Sequence, residues 1–385
     1  MKIITIVACG LLSSGLALSL MACRSASTTA PASPPGPERA GAGAPSAAAV
    51  VKSMISAADW QLKNPSPHKL WEWHQAPFWA GLHALAPLSP DPRKYLEAMR
   101  AMGEANEWSH GPSRFHADDQ AITQSYFLLY QDLKDRRMVS KALALFDEMT
   151  GMPFDEPLDF DQKKTAREWV WCDALFMSPP ALALTARTTG DRKYADLMSR
   201  LWWKTTDYLY DKGEHLYYRD SRYFDQRETN GARVFWSRGN GWVLAGLARV
   251  LQYLPPDYPG RPRFEALFRE MALRVAGLQR PDGYWPVSLL NPDAFPTPET
   301  SGTGFFTYAL AWGVNEKLLD RAALQPVIFR GYAALERAVR PDGKLGYVQR
   351  VGAAPGDTGP EETEVYGVGA FLLAGSEVHR LVASR

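Results

Sequence analysis

One aspartate of this chain stands among apolar residues: Asp173 lies within Glu168-Trp169-Val170-Trp171-Cys172-Asp173-Ala174-Leu175-Phe176-Met177, with rings on both sides. A carboxylate in such surroundings is disfavoured as an anion, so its pKa is expected to rise. A carboxylic acid that keeps its proton near neutral pH is what general-acid catalysis needs. The competing reading is a core aspartate or helix cap paired with a backbone donor, and residue types alone leave the two level. A second acidic segment, His116-Ala117-Asp118-Asp119-Gln120, precedes the apolar run Tyr126-Phe127-Leu128-Leu129-Tyr130. One of its two carboxylates can cap the helix that follows, which does not account for both. The pair also suggests a metal, but no second acidic cluster matches it, and neither a metal nor an organic cofactor is expected.

Two further segments carry groups suited to a ligand. Phe235-Trp236-Ser237-Arg238-Gly239-Asn240-Gly241-Trp242 opens a helix with glycine on either side of Asn240. Glycine lets a ligand approach the backbone, Arg238 can fork onto a carboxylate, and Trp242 offers a flat apolar face. A phosphate loop is a weak alternative, because no parallel strand precedes the segment and no Lys-Ser/Thr follows it. Glu299-Thr300-Ser301-Gly302-Thr303-Gly304-Phe305-Phe306 is a polar loop entering an aromatic helix, and Tyr366 stands near a similar Gly-rich start. Rings that stack on pyranose faces, with charged groups for hydroxyls and carboxylates, suit a sugar. Trp, Tyr and Phe make up 12% of the chain, enough to line such a cleft.

The elements that must position these groups are helices. Helical periodicity runs through Ala48–Leu62, Trp73–Leu85, Lys94–Glu107, Ala117–Leu133, Arg137–Met149, Arg167–Thr188, Arg192–Tyr210, Gly241–Leu254, Arg263–Leu278, Gly304–Asn315, Leu324–Val339 and Val365–Leu381. The strand candidates are short: 216–219, 284–286 and 346–348. Arg280-Pro281-Asp282-Gly283 recurs as Arg340-Pro341-Asp342-Gly343, each a turn between a helix and an aromatic segment, with Asp211-Lys212-Gly213 a looser copy. Helix pairs repeating every ~50–60 residues are what a solenoid or closed toroid of hairpins shows. About six pairs predict an all-α protein, an (α/α)6 barrel with its aromatic loops gathered at one end.

The N-terminus reads as an export signal. Met1-Lys2 and an apolar stretch end in Leu20-Met21-Ala22-Cys23, a pattern like the lipobox of bacterial lipoproteins, with Cys23 the lipidated residue. Residues 1–22 are then the signal peptide, 23–47 a flexible Ala/Pro/Gly/Ser-rich tether, and 48–385 one catalytic domain. A periplasm-facing or surface lipoprotein follows, with the outer membrane favoured because Arg24 is not the retaining Asp. Cys172 is the one thiol left in the folded part and reads as buried and inert. Lys+Arg 43 against Asp+Glu 42 gives a net charge of +1, which supplies no global field for nucleic acid or anionic lipid. No nucleic-acid partner is expected, membrane contact is expected through the lipid alone, and the chain is expected to be a monomer or weak dimer.

Taken in order, the segments 116–122, 171–177, 236–242, 299–303 and Trp312-Gly313-Val314-Asn315 resemble glycoside hydrolase family 105. Its members are the unsaturated rhamnogalacturonyl hydrolases and related uronidases, close kin of the unsaturated glucuronyl hydrolases of family 88. The resemblance implies an (α/α)6 barrel that removes the 4,5-unsaturated uronic acid left at the non-reducing end of oligosaccharides by polysaccharide lyases. It implies that Asp173 adds a proton to C4 and deprotonates the water that adds at C5, and that Asp118 is the second essential carboxyl, with Asp119 the alternative in an adjacent register. Arg238 and Trp242 match residues that hold the uronate. His116, Trp171 and Trp236 are expected beside the sugar, as are Arg219, Thr300 and Tyr366. Many members carry His after the short aromatic strand, where this chain has Arg219-Asp220. The competing functions are a lipid-anchored oligosaccharide-binding protein and, on the same toroid, a conventional inverting glycosidase or a uronate lyase.

Overall fold

A computed structural model describes residues 43–384. The expected signal peptide, Cys23 with its expected lipid, and most of the expected tether lie outside the described residues. Fourteen α-helical segments follow one another there: α1 (Ala47–Lys63), α2 (Ala76–Leu85), α3 (Pro92–Ala105), α4 (Ala117–Gln120), α5 (Thr123–Leu133), α6 (Ser140–Thr150), α7 (Ala174–Met177), α8 (Pro179–Thr189), α9 (Lys193–Leu209), α10 (Ser237–Tyr253), α11 (Arg261–Ala276), α12 (Thr300–Asn315), α13 (Arg321–Ala338) and α14 (Val365–Ala383).

Burial sorts them into two rings. α10, α12 and α14 are buried along nearly their whole length, with apolar side chains on every face. By contrast α3 buries Tyr95, Met99, Met102 and Gly103, a single stripe at helical spacing. The inner ring runs α2, α5, α8, α10, α12, α14, each beside the next, and α14 packs back against α2 to close it. Outside it lie α1, α3, α6, α9, α11 and α13, so the fold is the expected (α/α)6 barrel. Every inner helix is reached through an outer one, so the six run in the same sense and their N-termini share one end. Closure needs small residues: a Cβ on Gly369 of α14 would lie 2.3 Å from the Pro77 carbonyl carbon of α2.

The repeated turns form as read. Gly283 and Gly343 have φ of +92° and +97°, a region glycine enters without steric cost. The Arg280 and Arg340 amides donate across these turns to Tyr284 and Lys344 at 2.9 and 2.8 Å. Of the strand candidates, Leu216–Tyr217 pairs with Tyr210–Asp211 as an antiparallel hairpin. The other two form no strand; Tyr347 and Val348 donate instead to the loop carbonyls of Gly359 and Glu362.

The expected helix over 167–188 is the main correction. It gives way to an extended stretch in which Trp171 bridges Asp220 and the Cys172 amide donates to the Arg219 carbonyl at 2.8 Å. Trp169, Val170 and Trp171 favour extended backbone, and Pro179 with Pro180 starts a new helix, since proline fits its first turn. The break sets Asp173 against Arg219. Likewise the expected 117–133 helix divides into α4 and α5, leaving Asp118 on a short separate turn.

Candidate active site

At the end of the barrel where the inner helices begin, α4 and α7 each present a carboxylate. Asp173 precedes α7 and is 7% exposed, and Arg219 Nε donates to its Oδ2 at 3.2 Å. The same guanidinium reaches Asp220 Oδ2 through Nη1 at 2.7 Å, and Arg222 forks onto both Asp220 oxygens at 2.9 Å. Burial would raise the pKa of Asp220, but the hydrogen bonds from Arg222 and Arg219 overcome it and hold that carboxyl below its usual value. Asp118 has no such partner. About a quarter of its side chain reaches solvent, 23%, while Oδ1 is buried with no hydrogen bond. Burial first, and then the Asp173 carboxylate, push its pKa up to about 8, against a smaller opposing pull from Arg219. The carboxyl pushed up is thus Asp118, and the sequence supplied no cation to stand beside Asp173. His116 lies at the edge: its Nδ1 accepts from the Asp118 amide at 3.2 Å, its ring meets Trp171 at 5.1 Å, and burial lowers its pKa.

The other half of the site is basic and aromatic. Arg238, 1% exposed, lies over the rings of Trp236 at 4.3 Å and Tyr366 at 5.1 Å. Its Nη1 and Nη2 donate to the carbonyls of Gln349 and Arg350 at 2.7 and 2.9 Å, and its Nε is buried without a partner. Trp236 Nε1 donates to Gln349 Oε1 at 2.7 Å and the Tyr366 hydroxyl donates to the Gln349 carbonyl. Trp242 is enclosed by Phe176 at 4.9 Å, Phe305 at 4.3 Å, Trp73 at 6.0 Å and Tyr366 at 6.1 Å. It is a wall behind Trp73 and Tyr366 rather than the open face expected of it. The two halves abut, since a Cβ on Gly239 would sit 3.2 Å from Cys172 Sγ. A proton-holding carboxyl, a cation-paired carboxylate and an enclosed arginine with one free donor make a site for acid/base work beside an anionic, ring-shaped ligand.

A family model described as Glycosyl Hydrolase Family 88 matches residues 46–382. The chain belongs to glycosyl hydrolase family 88, and it is a glycoside hydrolase. This agrees with the resemblance drawn from the five motifs, in which families 105 and 88 are close kin. An unsaturated 3S-rhamnoglycuronyl hydrolase of Formosa agariphila is 38% identical over 352 residues, 86% of this chain and 91% of that protein. A protein of the same description from an Alteromonas species is 36% identical over 348 residues, 84% of each chain. Among solved structures, one described as a polysaccharide lyase is 34% identical, with a TM-score of 0.80, and covers 88% of this chain and 99% of its own.

Within this family 88 chain two expected sugar contacts turn out to hold the frame. Asp119 Oδ2 accepts from the Ser113 amide at 2.6 Å and its carbonyl from the Gly111 amide at 2.7 Å, which ties down the loop before α4. Of the two neighbours, Asp118 is the one whose carboxyl interacts with Asp173 and Arg219. Thr300 is fully buried, its hydroxyl donating to the Gly346 carbonyl at 2.9 Å, so it fastens α12 to the next loop rather than facing a ligand. Its neighbour Glu299 caps the same helix through the amides of Ser301 and Gly302 at 2.8 and 2.7 Å. Cys172 is buried as expected; its pKa is pushed well up by burial and by Asp173, and its thiol stands 3.6 Å from Asp173 Oδ2.

Sequence reasoning missed Asp220, Gln349, Trp73 and His74. Trp73 stacks on Tyr366 at 5.4 Å and on His74 at 3.8 Å. Both ring nitrogens of His74 are buried without partners, and burial, with His68 and Arg238 nearby, lowers its pKa to about 3, so the ring is neutral. His68, Glu72 and His74 have the composition of a cation site. Their geometry does not suit one, because the two imidazoles stack face to face at 3.5 Å with planes 3° apart. In-plane lone pairs of parallel rings cannot converge on one ion unless a ring turns.

Proposed function

We propose that this hydrolase removes a 4,5-unsaturated uronic acid from the non-reducing end of oligosaccharides by hydrating its C4=C5 bond, with rhamnose-linked uronides as the leading substrates. The observation that carries the reading is the unpartnered, buried Oδ1 of Asp118 beside the Asp173–Arg219 ion pair. Like charges this close do not both ionise readily, so the pair is suited to hold one proton. An enol ether needs one proton delivered to C4 and one accepted from the water that adds at C5, which the pair supplies. The resulting C5 hemiketal opens to a ketone and leaves a hemiacetal at C1 that expels the rest of the oligosaccharide. In this reading Arg238, whose Nε has no hydrogen-bond partner, and the stacked rings of Trp73 and Tyr366 hold the uronate. The linkage follows the names of the two curated relatives.

The decisive experiment offers an unsaturated uronyl-rhamnose disaccharide and its saturated counterpart. Ultraviolet absorbance of the unsaturated uronyl group is expected to disappear from the first, while the second stays intact. Turnover of the saturated disaccharide indicates a conventional glycosidase, and a rise in absorbance with intact polymer indicates a lyase; either outcome without loss from the first overturns the proposal. The same proposal has the chain exported and held by a lipid on Cys23, facing the periplasm or the cell surface, with the outer membrane favoured, and acting as a monomer or weak dimer. Mass spectrometry of the detergent-extracted protein is expected to find an acylated N-terminal Cys23, and a mature chain starting elsewhere removes the anchor.

A further inference from the structure

Two turns along α10 from Trp242, the inner ring of the barrel holds a charge that the hydration chemistry does not use. Arg249 is 2% exposed. Its Nε donates to Gln124 Oε1 of α5 at 3.0 Å, and Gln124 is held in that orientation because its Nε2 donates to the carbonyls of Phe176 and Met177 at 2.8 and 2.9 Å. The guanidinium carbon lies 5.9 Å from the centre of the Phe176 ring and 5.6 Å from that of Tyr253. Tyr308 of α12, whose pKa is raised by burial against an opposing pull from Arg249, stands beside it. Arg249 Nη2 is buried with no acceptor among the described residues. Near the C-terminal ends of α12 and α14 the acids Glu316 and Glu377 are engaged elsewhere: both meet Arg380, at 2.7 and 3.6 Å, and Glu377 also accepts from Asn315 at 2.7 Å.

A buried charge persists when it is paired and hydrogen-bonded, and one amide oxygen with two rings does not replace the hydration this guanidinium has lost. We propose that a small monovalent anion of the halide class, such as chloride, binds inside the barrel against Arg249 Nη2, with the Tyr308 hydroxyl as a second donor. One negative charge neutralises the guanidinium. A water molecule would satisfy the donor and leave the charge, while a doubly charged oxyanion would invert it. The way in lies at the end opposite the carboxylates. A cavity of about 820 Å³ opens there, lined in part by Tyr253, Leu254, Trp312 and Glu316. Tyr253, the last residue of α10, is also the ring that meets Arg249. Through Gln124 the same guanidinium is tied to Phe176 and Met177 of α7, so the anion braces the short helix that follows Asp173.

Thermal unfolding in sodium chloride, sodium bromide and sodium gluconate at one ionic strength tests this, because screening is then the same throughout. A ligand that binds only the folded state raises the unfolding temperature with the logarithm of its concentration, by ~2 °C for each tenfold increase above its Kd in a domain of this size. The rise is expected in chloride and bromide and not in gluconate, which is too large for a site enclosed by rings. Arg249→Met, which fills similar space without the charge, is expected to lose the rise. No rise in the wild type, or a rise of equal size in Arg249→Met, overturns the proposal. A direct readout on the wild type does not depend on how the variant folds. In crystals grown with bromide, anomalous scattering is expected to place the ion within hydrogen-bond reach of Arg249 Nη2, and a position filled by water alone overturns the proposal as well. Neither measurement involves a sugar, so its failure and that of the hydration reading are separate events.

Discussion

Asp118→Asn is expected to lower kcat on an unsaturated disaccharide by about 10²–10⁴, the range of a lost general acid or base, while making the protein more resistant to unfolding at alkaline pH. The loss of rate follows from chemistry: an amide keeps the shape and one lone pair of the acid but has no proton to give. The gain in stability follows from linkage. The folded pKa of Asp118 lies near 8, raised by burial and by Asp173, against ~3.9 for an aspartate in the unfolded chain. The folded state therefore binds the proton more tightly, and its stabilising effect is complete below the unfolded value and lost as pH rises through the folded one. Between about pH 4 and 8 the wild type should lose stability relative to Asp118→Asn, which has nothing to ionise there. Urea unfolding of both proteins at either end of that window checks the sign. A variant that is no more stable than the wild type at the alkaline end contradicts the placing of the proton on Asp118 in the resting fold. A variant with wild-type kcat removes Asp118 from the chemistry.

How much of this was legible beforehand depends on the range of the interaction. The barrel was legible because helical periodicity runs for a dozen residues at a time and recurs in pairs: α3 shows one apolar stripe, and α12 carries no charged residue. The echoed Pro-Asp-Gly turns were legible because their geometry is decided within four residues. Asp118 and Asp173 stood out as acids beside apolar runs, yet the guanidinium that meets Asp173 comes from 46 positions away. That neighbour arrives through the extended 169–172 segment, which helical periodicity conceals. Gln349 left no trace in the pattern. It lies in a loop, and its backbone carbonyl accepts from Arg238, 111 positions away, and from Tyr366. Thr300 and Asp119 misled for the converse reason: a polar residue at a helix start looks the same whether it faces a ligand or fastens the next loop.

Asp220→Ala is expected to destabilise the fold by ~3–5 kcal/mol, the cost of breaking a buried charge pair from one side, and to lower the rate. Asp220 is fully buried and accepts from Arg219 Nη1, from Arg222 Nε and Nη2, and from the Arg222 amide at 3.1 Å. Arg222 is half-exposed and can turn to water once released, so most of the penalty falls on Arg219, which is held inside by its own backbone pairing. Asp220→Asn keeps an acceptor for the Arg222 amide and loses the charge, so it should fall between the wild type and alanine. The pH dependence has the opposite sign to that of Asp118. The folded pKa of Asp220 is depressed, because the Arg222 and Arg219 hydrogen bonds outweigh the burial that raises it. Its contribution is therefore present above the unfolded carboxylate value and lost as pH falls through the folded one. The gap in urea stability between wild type and Asp220→Asn should be full at neutral pH and close on acidification below about pH 4. A gap that stays constant with pH would show that Asp220 acts through shape and not through charge. In the active site Arg219 is left with Asp173 as its charged partner, so Asp220→Asn is expected to lower kcat as well as stability.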